Sequence, residues 1–166
     1  MAKIIDGKQI AKEVRAEIAA ECAELKKKGI VPGLAVVIVG TDPASQVYVR
    51  NKKKACEEVG FRSEVFELPE ETTEEELLAL VKKLNEDVNI HGILVQLPLP
   101  EHLDDEVIIA NIDPKKDVDA FHPSNVGKIM IGNYDFLPCT PAGVMVLLEK
   151  SGIDVSGKEC VVVGRS

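Results

Sequence analysis

Three compact apolar runs constrain the fold more than any other feature. Leu34 to Val39 closes at Gly40, Gly92 to Gln96 closes at Leu97-Pro98-Leu99-Pro100, and Cys160-Val161-Val162-Val163 closes at Gly164. Each has the length of a strand, and their apolar character suits strands buried on both faces. Between them the spacing changes to that of helices. From Asp6 to Lys28 the residues Ile10, Val14, Ile18, Cys22 and Leu25 recur at helical spacing, with Asp6 able to cap the start and Gly29 to end it. Thr41-Asp42-Pro43 opens a second helix, a cap followed by a proline suited to the first turn, and Gly60 stops it after Val59. Arg62 to Leu68 reads as a shorter, more polar strand stopped by Pro69. Thr73 and Glu76 have capping-box spacing ahead of a helix carrying Leu77, Val81 and Leu84. A short helix is expected near Asp104 to Asn111, and Thr140-Pro141 starts another through Val144, Leu147 and Leu148, ending near Gly152.

This order is a helix followed by alternating strands and helices. It predicts an α/β fold, a parallel sheet with helices on both faces in three layers. Ile112 to Pro138 reads as loop and short elements, with Asp113-Pro114, His122-Pro123 and Gly132-Asn133 as breakers, and is the expected linker. The last strand and glycine turn have the form in which a dinucleotide-binding βαβ unit opens, with the receiving helix not included. The expected division is 1–136 for the first domain and 137–166 for an incomplete second one.

Composition narrows the function classes. Aromatic residues are 4% and Trp is absent, so the core has to be aliphatic. A net charge of -8 argues against a nucleic-acid partner. No apolar run approaches the roughly 20 residues that cross a bilayer, and the N-terminus has no secretory pattern; a cytoplasmic protein is expected. Cys22, Cys56, Cys139 and Cys160 form no CxxC pair, so neither a disulfide framework nor a metal site is expected. His91, His102 and His122 have no ligand spacing and are assigned to no metal.

Four places could carry chemistry. Tyr48 and Lys52 lie one turn apart on one helix face, continued by Cys56; taken alone, they equally describe a solvated surface pair. The run Lys52-Lys53-Lys54 is by itself a solvated face. Gln96 ends an apolar strand, and ligands of parallel sheets gather at strand carboxyl ends; a polar residue bonded to loop backbone is the plainer alternative. In Lys116-Asp117-Val118-Asp119 two carboxylates flank one apolar residue and share a side if the segment is extended. Asp119 could accept from the amino and ring N–H groups of a ligand, or simply form a turn. Gly164-Arg165-Ser166 lacks the second glycine of a dinucleotide fingerprint and gains meaning only from the valines before it.

Together these segments resemble, in order and over essentially the whole chain, the bifunctional methylenetetrahydrofolate dehydrogenase/cyclohydrolases. Ser45-Gln46-Val47-Tyr48-Val49-Arg50-Asn51-Lys52 is similar to that family's Y-V-x-x-K pattern. Gly92-Ile93-Leu94-Val95-Gln96-Leu97-Pro98-Leu99-Pro100 matches its second motif almost letter for letter. Lys116 to Asp119 with Phe121-His122-Pro123, then Pro138-Cys139-Thr140-Pro141-x-Gly143, then Val161 to Ser166, resemble the rest. One departure is Ala120, where the family usually has Gly; a turn needing positive φ there would be strained by alanine.

The resemblance implies a folate-binding catalytic domain followed by the start of a Rossmann-type NADP domain, and a homodimeric full-length enzyme of one-carbon metabolism. It implies that Tyr48 lies against the folate rings, that Lys52 is the catalytic lysine, that Gln96 hydrogen-bonds near it and sets its state, and that Asp119 grips the pterin. Val95 and Leu97 would line the site through backbone or side chain. Thr140, Gly164, Arg165 and Ser166 would belong to the NADP site, with NAD a possible substitute.

The implied chemistry suits these residue types. Hydride leaves a methylene carbon held between two nitrogens whose lone pairs stabilise the cation, so no proton has to move. Water then attacks that carbon, and protons must be shuffled. A lysine serves as a base only when neutral, and burial beside a cationic substrate pushes it that way. A neighbouring Gln can bond the amine without supplying a counter-charge. Two other readings stay open: a folate-binding module without turnover, and the substrate domain of another two-domain dehydrogenase such as a shikimate-dehydrogenase-like protein. The combination of Tyr48, Lys52, Gln96 and Asp119 argues against the last.

Overall fold

The computed structural model describes residues 4–164. Helix α1 (Gly7–Lys27) starts on Asp6, whose carboxylate accepts from the Lys8 and Gln9 amides. Strand β1 (Gly33–Val39) leads into helix α2 (Pro43–Val59), capped by Asp42 and stopped by a left-handed Gly60. Strand β2 (Arg62–Leu68), helix α3 (Glu74–Glu86), strand β3 (Gly92–Val95) and helix α4 (Asp105–Ala110) follow. The Thr73–Glu76 capping box at the start of α3 is formed in both directions.

The sheet is parallel, in the order β2-β1-β3. Strand β1 is therefore central, which is why Ala35, Val36 and Val37 are fully buried. Its period of two divides the core. Ala35, Val37 and Val39 pack with Ile93, Val95, Ile108 and the α3 residues Leu77, Val81 and Leu84. Val36 and Ile38 face the other way, onto Val49 of α2 and Leu94. Each buried Val, Leu or Ile among them contributes about 1.5–3 kcal/mol by leaving water. Helix α1 lies on α2, with Arg15 paired to Glu58 at 3.1 Å.

The segment expected to be mostly loop contains an eight-residue helix, α5 (Pro123–Met130). The His122-Pro123 pair, read as a breaker, opens it: the imidazole accepts from the Ser124 amide, and Pro123 occupies the first turn, where its missing N–H costs nothing. Helix α6 (Cys139–Lys150) then returns to α1, where Lys150 pairs with Glu17.

One expected strand does not form. Residues 160–163 carry no strand pairing, and Val161, Val162 and Val163 are 88%, 87% and 95% exposed. A strand is stabilised by ladder bonds and by cover on its faces. Among the described residues no other strand lies beside this run, so sequence propensity alone does not order it.

Candidate functional site

The alternation along β3 determines where Gln96 goes. Ile93 and Val95 point to the α3 face and Leu94 to the α2 face. Gln96, two residues beyond Leu94, therefore returns to the α2 face at the carboxyl end of the strand. Its amide extends the ladder by donating to the Val37 carbonyl at 2.8 Å. Its side-chain Nε2 donates to the Leu97 carbonyl at 2.8 Å, and Lys52 Nζ donates to Oε1 at 3.0 Å. A carbonyl only accepts, so the Leu97 contact fixes the amide orientation and leaves oxygen for the lysine. Lys52 thus meets a neutral acceptor.

Asp119 is the next charge. Burial pushes its carboxyl above the usual carboxylate range; the Lys52 ammonium pulls it back down, the Asp117 charge pushes it up, and a hydrogen bond from Cys139 lowers it. Cys139 is solvent-accessible as a residue, but its sulfur lies against the loop, 3.9 Å from the Val118 carbonyl. That desolvation, and then the Asp119 charge, push its thiol up. Lys52, Gln96, Asp119 and Cys139, from four separate segments, therefore form one polar cluster where α2, the end of β3, the loop between α4 and α5, and the start of α6 meet. Tyr48, one turn before Lys52 on α2, is 62% exposed beside it.

The segment Lys116-Asp117-Val118-Asp119 is not extended, the condition on which its two carboxylates would share a side by alternation. Asp117 makes a single parallel bridge to Ile93, and the Ala120 amide then turns back to the Asp117 carbonyl at 3.2 Å. Ala120 adopts φ 57 there, the left-handed conformation suited to glycine. The turn leaves Asp117 buried at 2% exposure while Asp119 looks towards Lys52. Lys116 is also committed elsewhere. Its Nζ donates to the Leu84, Asn85 and Asp87 carbonyls at 3.1, 2.7 and 2.8 Å, a cation closing the carboxyl end of α3. Gly92 makes room for the same loop, since a Cβ there would stand 2.6 Å from Val118 Cγ1.

The other expected site residues divide. Val95 packs its side chain into the α3-side core, so only its backbone is left for the cleft. Leu97 is half-buried and offers its carbonyl to Gln96. Thr140 is exposed in the first turn of α6 and Gly164 is exposed, while Arg165 and Ser166 lie outside the described residues. Residues 160–164 form no cradle for a dinucleotide by themselves. Each histidine bonds backbone: His91 accepts from Gly33 N, His102 meets the Thr72 carbonyl, and His122 the Ala110 carbonyl. A groove of about 520 Å³ lies on the other flank of α2, lined by Gln46, Arg50, Lys53 and Glu67 among others, and includes none of Lys52, Gln96 and Asp119. It has no cluster of interacting polar groups, so the Lys52 cleft is the better candidate.

Cys139 and Asn125 are the members that sequence reasoning gave no role, although Cys139 stands inside the Pro138-Cys139-Thr140-Pro141 motif. Nothing in local spacing marks Asn125.

A parallel sheet covered by helices on both faces, with a Lys–Gln–Asp cluster at its strand carboxyl ends, defines the class: an α/β domain with a candidate site at the strand ends. Comparison with known proteins makes it particular. The catalytic domain of tetrahydrofolate dehydrogenase/cyclohydrolase matches residues 5–119, and the NAD(P)-binding domain of the same proteins matches residues 138–166. The chain belongs to the tetrahydrofolate dehydrogenase/cyclohydrolase family. It is 62% identical over 165 residues to the bifunctional protein FolD of Acetivibrio thermocellus, covering 99% of this chain and 58% of that one. The crystal structure of the bifunctional enzyme FolD from Campylobacter jejuni superposes with a TM-score of 0.96 at 50% identity, over 99% of this chain and 58% of that one. The Trypanosoma brucei FolD structure, complexed with NADP cofactor and inhibitor, gives a TM-score of 0.89 at 42% identity, over 94% of this chain and 54% of that one. The chain thus spans a little over half the length of these relatives. Among the described residues no helix is long and apolar enough to cross a membrane.

Proposed function

We propose that this chain supplies the folate side of an enzyme that oxidises 5,10-methylenetetrahydrofolate to the methenyl form with NADP and hydrolyses that to 10-formyltetrahydrofolate. The observation that carries the reading is the Lys52–Gln96 hydrogen bond beside Asp119, an amine against a neutral acceptor in a cleft at the strand ends. Family membership supports it, and so do the activities named for the FolD relatives. Residues 1–136 form the folate domain in this reading, and 137–166 open the nucleotide domain; the protein works in the cytoplasm, with the complete enzyme a homodimer.

In this assignment Asp119 accepts hydrogen bonds from the pterin amino and ring N–H groups, Tyr48 lies against the rings, and the Val95 and Leu97 backbone borders them. The nucleotide supplies the hydride acceptor when bound; Thr140, Gly164, Arg165 and Ser166 are assigned to its site. Loss of hydride leaves a cationic carbon between two nitrogens, and water attacks it. Lys52 Nζ takes a proton from the attacking water and returns one to the ring nitrogen whose bond to that carbon breaks, which gives the formyl product, and Gln96 Oε1 holds the amine in place.

The test is turnover by the full-length protein. With methylenetetrahydrofolate and NADP, methenyl-folate should form and then decay to the formyl product. Folate binding with neither reaction would replace this reading by that of a binding module.

A further inference from the structure

We propose that the buried Asp117–Asn125 pair is a positioning element of the cleft, with Asn125 the residue that keeps the Asp119 carboxylate facing Lys52. This deepens the folate reading above and rests on it for its functional meaning, though not for its geometry. Asp117 is 2% exposed and Asn125 is 2% exposed. Asn125 Nδ2 donates to Asp117 Oδ2 and to the Pro114 carbonyl, both at 2.9 Å. The same Asp117 oxygen accepts from the His122 amide at 2.8 Å. One side chain on α5 therefore ties down the stretch that leads into Asp119, at Pro114 and at Asp117, and the His122 amide bond to Asp117 closes the turn around Asp119. On the far side Asp117 is bridged to Ile93 of β3, and the Ile93 amide donates to the Lys116 carbonyl at 2.7 Å. The loop is held from α5 and from the sheet, and the left-handed turn at Ala120 lies between the two anchors.

The arrangement is costly to keep for stability alone. Both partners of the Asn125 amide are acceptors, so its NH₂ must face them, and Oδ1 is left buried without a partner among the described residues. An unsatisfied buried acceptor is unfavourable, as is a buried carboxylate that accepts from the neutral His122 amide and Asn125 side chain. Such unpaid groups are tolerated where geometry matters. Here the geometry at stake is the direction of Asp119. The Asp117 charge, fixed at close range, also joins burial in pushing the Asp119 carboxyl up.

Cys139 provides a reporter that needs no substrate. Its thiol is pushed up partly by the Asp119 charge, so a displaced Asp119 lets it ionise at lower pH. Iodoacetamide alkylation of the full-length protein, followed at the Cys139 peptide by mass spectrometry across pH, reads this directly. Asp119→Asn sets the full effect, with faster alkylation near neutral pH. Asn125→Leu should reproduce most of that acceleration and raise the folate KM by several-fold or more, with kcat changed much less. Asn125→Ser, which is too short to hold both Pro114 and Asp117, should fall between if the leucine variant does not fold. A folded Asn125 variant with the wild-type Cys139 profile overturns the proposal. If the profile shifts while the wild-type protein turns over no folate, the positioning role stands and the functional reading fails.

Discussion

Replacing Lys52 by Met in the full-length protein lowers methenyl-folate hydrolysis by about 10²–10⁴-fold, the usual worth of a positioned proton-transfer group. The hydride step survives in large part, because the carbon between two nitrogens loses hydride without any base. Methionine keeps much of the stem volume, so Gln96 and the α2 face stay packed; only the amine that donates to Gln96 Oε1 is removed. Folate affinity changes little, since the lysine's main task falls in the transition state. The check is to follow formation and hydrolysis of methenyl-folate separately. Equal loss of both with unchanged affinity would mean that Lys52 is not a base specific to hydrolysis.

Asp119→Asn should do the opposite, lowering both activities together through lost pterin binding. Losing a hydrogen bond to a charged group weakens folate binding roughly 10- to 100-fold. The same change should stabilise the unliganded protein. Burial raises the Asp119 carboxyl above its usual range in the folded state. A raised carboxylate pKa means the folded state binds more protons than the unfolded one, so stability falls as pH rises from the ordinary value through the raised one. That cost is present at neutral pH, and Asn removes it. The melting temperature of Asp119→Asn should therefore exceed wild type at pH 7, with the difference vanishing in acid below the ordinary carboxylate range. A lower melting temperature at pH 7 would place the burial cost elsewhere.

These two residues show how far the sequence carries. Gln96 was legible as the polar end of an apolar strand, where ligands of parallel sheets gather; that it faces α2 follows only from the packing of Leu94. Lys52 was legible as a helix position, one turn from Tyr48, but its partner came only through the family resemblance, since nothing local joins residues 44 apart in sequence. The helix limits followed from caps, as at Asp42 and Gly60, where one side chain or one φ determines the boundary. The loop from 112 to 138 was not legible. Its helix begins on a His-Pro pair whose capping bond depends on the imidazole finding the Ser124 amide. Its carboxylates take different partners, with a turn at Ala120, not an extended strand, after the bridge at Asp117. Asn125 acts through tertiary contacts to Pro114 and Asp117, and a polar residue in a helix gives no local sign of that. The valines at 161 to 163 show the reverse failure, since strand propensity without a neighbouring strand gave no strand.

The most direct measurement is a crystal structure of the full-length protein with a bound folate analogue. The pterin should lie within hydrogen-bond distance, about 3 Å, of the Asp119 carboxylate, with Lys52 Nζ near the carbon bridging the two nitrogens and Tyr48 against the rings. A ring system bound away from Lys52 and Asp119, for instance in the groove between Gln46, Arg50 and Lys53 on the other flank of α2, would contradict the account.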